Sequence, residues 1–187
     1  MSERRDEITS ENARPLAQRI AQTLDLAFAD HDVQVTIDGH DVLLEIPCPS
    51  AAVDHGLWIR WEGPEHDVIV GFHTQHAHFG PWEEYSDQEA RIDAILAALD
   101  EGIATARAFL AERMVVITWY SRGEVETATR DVPEHAQTEV REGAKEIFNL
   151  RSRVQMLLNG HWPRFGRVTA TIRSWNGTHD ADIDHVR

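Results

Sequence analysis

The sequence predicts an α+β fold, a mainly antiparallel sheet of about eight strands with two or three helices packed on one face. Three observations lead there. Two long stretches carry apolar residues every three or four positions, several short alternating stretches are joined by turn residues, and no internal repeat or Ser/Gly linker interrupts them. A chain of 187 residues fits a single domain spanning 1–187 and can bury a real core. Residues 1–11 are expected to be disordered and 178–187 to form a solvated tail.

The first helix is expected from about Asn12 to Ala29, where Leu16, Ile20, Leu24 and Phe28 make one apolar stripe. Asn12 would cap it, with Pro15 in its first turn. Strands follow at 33–37 and 42–46, joined through Asp38-Gly39, a hairpin signal. LWIRW (57–61) and VIVGFHTQHAHF (68–79) read as the next pair. Trp58 and Trp61 are three apart on a strand and so face opposite sides, one to the core and one available for contact. Ser86-Asp87-Gln88-Glu89 opens the second helix, which continues to about Arg113 with Ile92, Ile95, Leu99, Ile103 and Leu110 on its buried side. MVVITWY (114–120) and EVETAT (124–129) form a hairpin, a weaker helix is expected within 133–150, and strands at 154–159 and 167–175 complete the sheet.

The net charge of −14 argues against direct binding to nucleic acid or to an anionic membrane, which needs a positive footprint, and is compatible with a basic protein partner. Between Glu146 and Asp180 lie five arginines and no acid: Arg151, Arg153, Arg164, Arg167 and Arg173. They are expected to pair across strands with acids such as Glu124 and Glu126. No apolar run approaches the roughly 20 residues that cross a bilayer. The charged N-terminus is unlike a secretory signal. A lone cysteine, Cys48, excludes an internal disulfide framework and fits a reducing compartment, so the expected location is the cytoplasm. Motifs of nucleophilic catalysis and phosphate loops are absent from the chain.

HTQHAHFGPW (73–82) concentrates three histidines in six positions. On one continuous strand His76 and His78 share a face and could chelate one zinc ion, whereas His73 points the other way. A catalytic zinc needs three protein ligands and an open position, and Glu83, Glu84 and Asp87 are the candidates for the third. GFHTQHAHF followed by SDQE resembles a degraded JAMM metalloprotease signature. That resemblance implies His76 and His78 as ligands, Ser86 beside the oxyanion, Glu89 as the acidic ligand, and Glu45 or Glu62 as the upstream base. Phe79 stands where the family has proline, the gap before the serine is one residue short, and Glu89 replaces an aspartate. The bland reading makes 73–79 the end of a strand that has run past its helices, an aromatic and polar rim.

In size, acidity and α+β build, and in its aromatic-flanked HTQHAHFGPW and RSWNGTHD segments, the chain resembles the small acidic immunity proteins that bacteria keep beside polymorphic toxins. That resemblance implies a non-enzymatic domain that binds a toxin domain, often a basic one, and covers its active site. The expected contact residues are Trp82, Glu83, Glu84 and Tyr85 with Phe79, and no cofactor is expected. The alternative is a zinc-dependent hydrolase using His76 and His78. An uncovered edge at 73–79 would also permit a homodimer by strand pairing.

Overall fold

The computed structural model describes residues 10–64, 66–80, 87–121, 124–130 and 168–183. The chain forms two compact units. The first comprises Met1–Cys48, His55–Phe72 and His76–Ala108, and the second Pro49–Asp54, His73–Gln75 and Phe109–Arg187.

In the first unit, α1 (Ser10–Ala27) is followed by β1 (Gln34–Asp38), β2 (Asp41–Ile46), β3 (Leu57–Trp61), β4 (Val68–Phe72), β5 (Gln75–Phe79) and α2 (Gln88–Leu110). The strands lie in sequence order in one five-stranded sheet, as short connections dictate. Strict alternation on β2, β3 and β4 sends nine side chains to one side. The register sets them in three rows: Val42, Trp61 and Val68; Leu44, Ile59 and Val70; Ile46, Leu57 and Phe72. All nine are at most 3% exposed, and burying each is worth about 1.5–3 kcal/mol.

The helices cover that side. Leu16, Ile20, Leu24 and Phe28, the predicted stripe, are buried. α1 starts at Ser10, so Asn12 is not its cap and Pro15 stands inside it, at the cost of one main-chain hydrogen bond. In α2, Gly102 permits a close approach: a Cβ there would lie 3.1 Å from Val70 and 3.3 Å from Val68. Arg107 of α2 donates to the Ala27 carbonyl at 3.0 Å and lies over the Phe28 ring. It thereby satisfies the end of α1 and ties the two helices together.

The second unit holds a four-stranded sheet in the order β7-β6-β8-β9, from β6 (Val115–Ser121), β7 (Glu124–Arg130), β8 (Val168–Arg173) and β9 (Ala181–Ile183). The strands thus fall into sheets of five and four, where the sequence predicted one of about eight. β6 explains the difference. Val115, Val116, Ile117 and Thr118 are all buried, so β6 is a central strand covered on both faces and takes its own neighbours on either side. The helix expected within 133–150 and the strand at 154–159 lie outside the described residues, as do Arg151, Arg153, Arg164 and Arg167.

The expected solvated tail is instead built into this sheet as far as Ile183, because its aspartates have partners. Asp182 pairs with Arg173 at 2.6 Å. Asp180 accepts from the Ser174 N–H at 2.7 Å and from the Ser50 hydroxyl at 3.2 Å. Arg173, expected to meet Glu124 or Glu126, meets Asp182 and also donates to the carbonyls of Ala52 and Ala181.

Glu112 clasps the same loop. Just past α2 it sits at φ 52°, a conformation that favours glycine. Its carboxylate accepts from the N–H groups of Asn176 at 2.9 Å and Thr178 at 3.3 Å. Partial burial pushes this carboxyl up, but hydrogen bonds from the Thr178 hydroxyl, the Asn176 N–H, the Ser174 hydroxyl and the Thr178 N–H outweigh it and hold the pKa at about 2. A carboxyl held below its unfolded value stabilises fully above that value and ceases to do so as pH falls through the folded one. Glu112 therefore contributes fully above pH 4.5 and loses its contribution towards pH 2. E112Q should lower stability at neutral pH and flatten the acid-side loss across that window, as read by denaturant unfolding at several pH values. A slope unchanged by the substitution would contradict the role given to this carboxylate.

Candidate functional site

The chain does not run straight through 68–79. It turns back at His73-Thr74, dividing the predicted long strand into β4 and β5. His73 adopts φ 55°, which histidine tolerates better than most side chains. Its ring is buried, and Nδ1 accepts the Asp54 N–H at 3.1 Å. The accepting nitrogen carries no proton, so this imidazole is neutral with its proton on Nε2. His73 is thus a structural residue of the turn.

A two-residue connection sets Gln75 opposite Phe72, and hence Ala77 opposite Val70 and Phe79 opposite Val68. Phe79 accordingly belongs to the helix-covered side, half-buried, with its ring 3.8 Å from where a Gly102 Cβ would stand. His76 and His78 point to the opposite side and are exposed, their rings 5.1 Å apart and edge to face. The shared face predicted for this pair is observed, but it is the open face of a hairpin and not the overrun end of a long strand.

His78 Nδ1 lies 3.2 Å from the Asp67 carboxylate. Among the described residues no three His, Cys, Asp or Glu side chains converge as a metal site would require. Of the possible third ligands, Asp87 caps α2 by accepting the Ala90 N–H at 2.8 Å. Glu83, Glu84 and Ser86 lie outside the described residues, as do Trp82 and Tyr85. Glu45 is on β2, three strand spacings or about 14 Å from β5, too far to serve a metal on His76 and His78. Glu62 is engaged by Arg60 at 2.8 Å.

The open face of this sheet carries a second constellation. Its rows are Thr36, Leu43, Arg60 and Ile69, and beside them Gln34, Glu45, Trp58 and Gly71. By the hairpin pairing, His78 extends the first row and His76 the second. Trp61 is 1% exposed in the core, while Trp58 is half-buried on this outer side, the division their spacing predicts. A Cβ on Gly71 would fall 2.1–2.5 Å from indole atoms of Trp58. The ring therefore lies flat on the sheet, in the space that any other residue at 71 would fill.

Leu43 and Ile69 are also half-buried and flank Arg60 in the row next to the indole. Glu45 stands beside Trp58, and Asp38, Asp41, Glu62 and Asp67 lie beyond Arg60, so five carboxylates share the face with one arginine. Arg60 is held by Glu62 and, at 4.0 Å, by Asp41. Glu45 is exposed and makes no hydrogen bond or ion pair with any described residue. Two sequence signals pointed here: the Trp58/Trp61 spacing, and a glycine inside an otherwise apolar strand.

Comparison with models of known protein families, with curated proteins and with solved structures found no match. Among the described residues no helix is long and apolar enough to cross a membrane.

Gly71→Ala should lift the indole from its seat, shifting tryptophan emission to the red and costing about 1–3 kcal/mol. Unchanged emission and stability would mean that the ring does not depend on the glycine.

Proposed function

We propose that the protein is a non-enzymatic, acidic binding domain whose partner is a basic protein, engaged by the open face of the five-stranded sheet. The observation that carries this reading is an open face that sets the half-buried Leu43, Trp58 and Ile69 among five carboxylates and one arginine already paired with two of them. Productive interfaces concentrate their energy in a central aromatic anchor shielded by a polar rim. The overall charge of −14 speeds the encounter with a partner of opposite sign. A toxin domain neutralised by a bound immunity protein is the kind of partner this reading fits, and it places the work in the reducing cytoplasm. Trp82, Glu83, Glu84 and Tyr85 remain proposed as further contacts.

A second reading, a zinc-dependent hydrolase, draws on the His76–His78 pair. Asp67 engages Nδ1 of His78 and leaves Nε2 for a metal, as carboxylates beside metal-bound histidines do. Glu83 or Glu84 would have to supply the third ligand.

The two readings separate experimentally. Partner capture on immobilised wild-type protein, Trp58→Ala and Leu43→Arg should show a basic protein held by the first, lost from both variants and released by salt. Retention of the same protein by both variants would remove the open face from the interface. Elemental mass spectrometry on protein purified without a metal column should find no stoichiometric transition metal. About one zinc per chain, lost in a His76/His78 double variant, would decide for the hydrolase.

A further inference from the structure

We infer that the anchor this face takes from its partner is an arginine side chain, its guanidinium stacked on the outer surface of the Trp58 indole and paired with the Glu45 carboxylate. The inference rests on the binding-domain reading and specifies its chemistry.

Three features of the site converge on it. The inner surface of the indole is taken up by the Gly71 backbone, so what this half-buried ring still exposes is its outer surface and edge. A tryptophan face is the strongest aromatic seat for a cation. Glu45 stands directly opposite Trp58 in the β2–β3 register, and such cross-strand neighbours have Cβ atoms about 4.5–5.5 Å apart on the same side of the sheet. A group resting on the ring is therefore within reach of this carboxylate.

Glu45 is also the carboxylate beside Trp58 and is engaged by no described residue; Asp38, likewise unengaged, stands two rows away at the far end of the face. Asp41 and Glu62 hold Arg60, and Asp67 meets His78. Arg60, two residues along β3 from Trp58, would compete for Glu45, but Glu62 at 2.8 Å holds it instead. Gln34 lies across from Glu45 on β1 and is exposed, adding a side-chain carbonyl at the rim.

The shape of the seat selects arginine over lysine. A guanidinium is planar, stacks on an aromatic ring and presents a fork of N–H donors that a carboxylate accepts in pairs. An ammonium is a strongly hydrated point charge and gains less from a flat ring with a single carboxylate beside it.

The test titrates full-length ¹⁵N-labelled protein with a short capped peptide containing one arginine, and with its lysine counterpart, following the indole N–H signals. The Trp58 signal should move with the arginine peptide and be identified by its loss in Trp58→Leu. Binding should weaken roughly threefold to fivefold for the lysine peptide and for Glu45→Gln. Glu45 is exposed, so its variant reports on binding without a folding penalty.

Equal response to both peptides, indifferent to Glu45→Gln, would overturn the arginine assignment. A peptide that moves other signals and leaves Trp58 still would overturn the site, while the basic-partner reading would survive. No response to either peptide overturns the inference alone, because the capture experiment judges the broader reading independently.

Discussion

Burial of nine side chains in three rows under α1 and α2 organises the first unit. Because a strand has a period of two, sending Val42, Leu44, Ile46, Leu57, Ile59, Trp61, Val68, Val70 and Phe72 to the helices also determines what must face away. Leu43, Trp58 and Ile69 are the unavoidable complement. A register slip of one residue would exchange the two sets and expose Trp61, so the positions of these outward apolar side chains are as firmly specified as the core. Gly71 adds the one local concession, a missing side chain that lets a large ring lie close to the sheet.

Carboxylates do opposite work in the two units. In the second, Glu112, Asp180 and Asp182 are consumed internally. They accept main-chain N–H groups of the 174–178 loop or neutralise Arg173. Such groups order a loop that has few apolar side chains to hold it. In the first, Asp41, Glu62 and Asp67 of the open face pair laterally with Arg60 and His78, which leaves Asp38 and Glu45 over. The excess of negative charge is therefore partly structural, and less of the −14 stands unpaired at the surface than the total suggests.

The helices, the β1–β2 hairpin and the opposed faces of Trp58 and Trp61 were legible because periodicity encodes them directly. The β4–β5 reversal was not. Its turn is His73-Thr74, without the glycine or asparagine that usually announces a positive φ, and the energy that holds it there comes from burial of the His73 ring and its bond to the Asp54 N–H. β9 was missed for a related reason. A run of aspartates reads as solvated until Arg173 and Ser174 are known to be beside it. The seat of Trp58 was half legible: spacing indicated an outward ring, but only the register shows that Glu45 and Gly71 flank it.

The two units also differ in when a growing chain could complete them. Strands β1 to β5 pair only with sequence neighbours, so their closure costs little loop entropy and can follow synthesis closely. The second unit takes Pro49–Asp54 and His73–Gln75 from the early part of the chain and fastens Ser50 to Asp180, a bond that spans 130 residues. Those early segments must therefore wait, held in place by the meander around them, until the last strand leaves the ribosome. Vectorial synthesis would complete the five-stranded sheet, and with it the open face, before the strands that close the second unit are made.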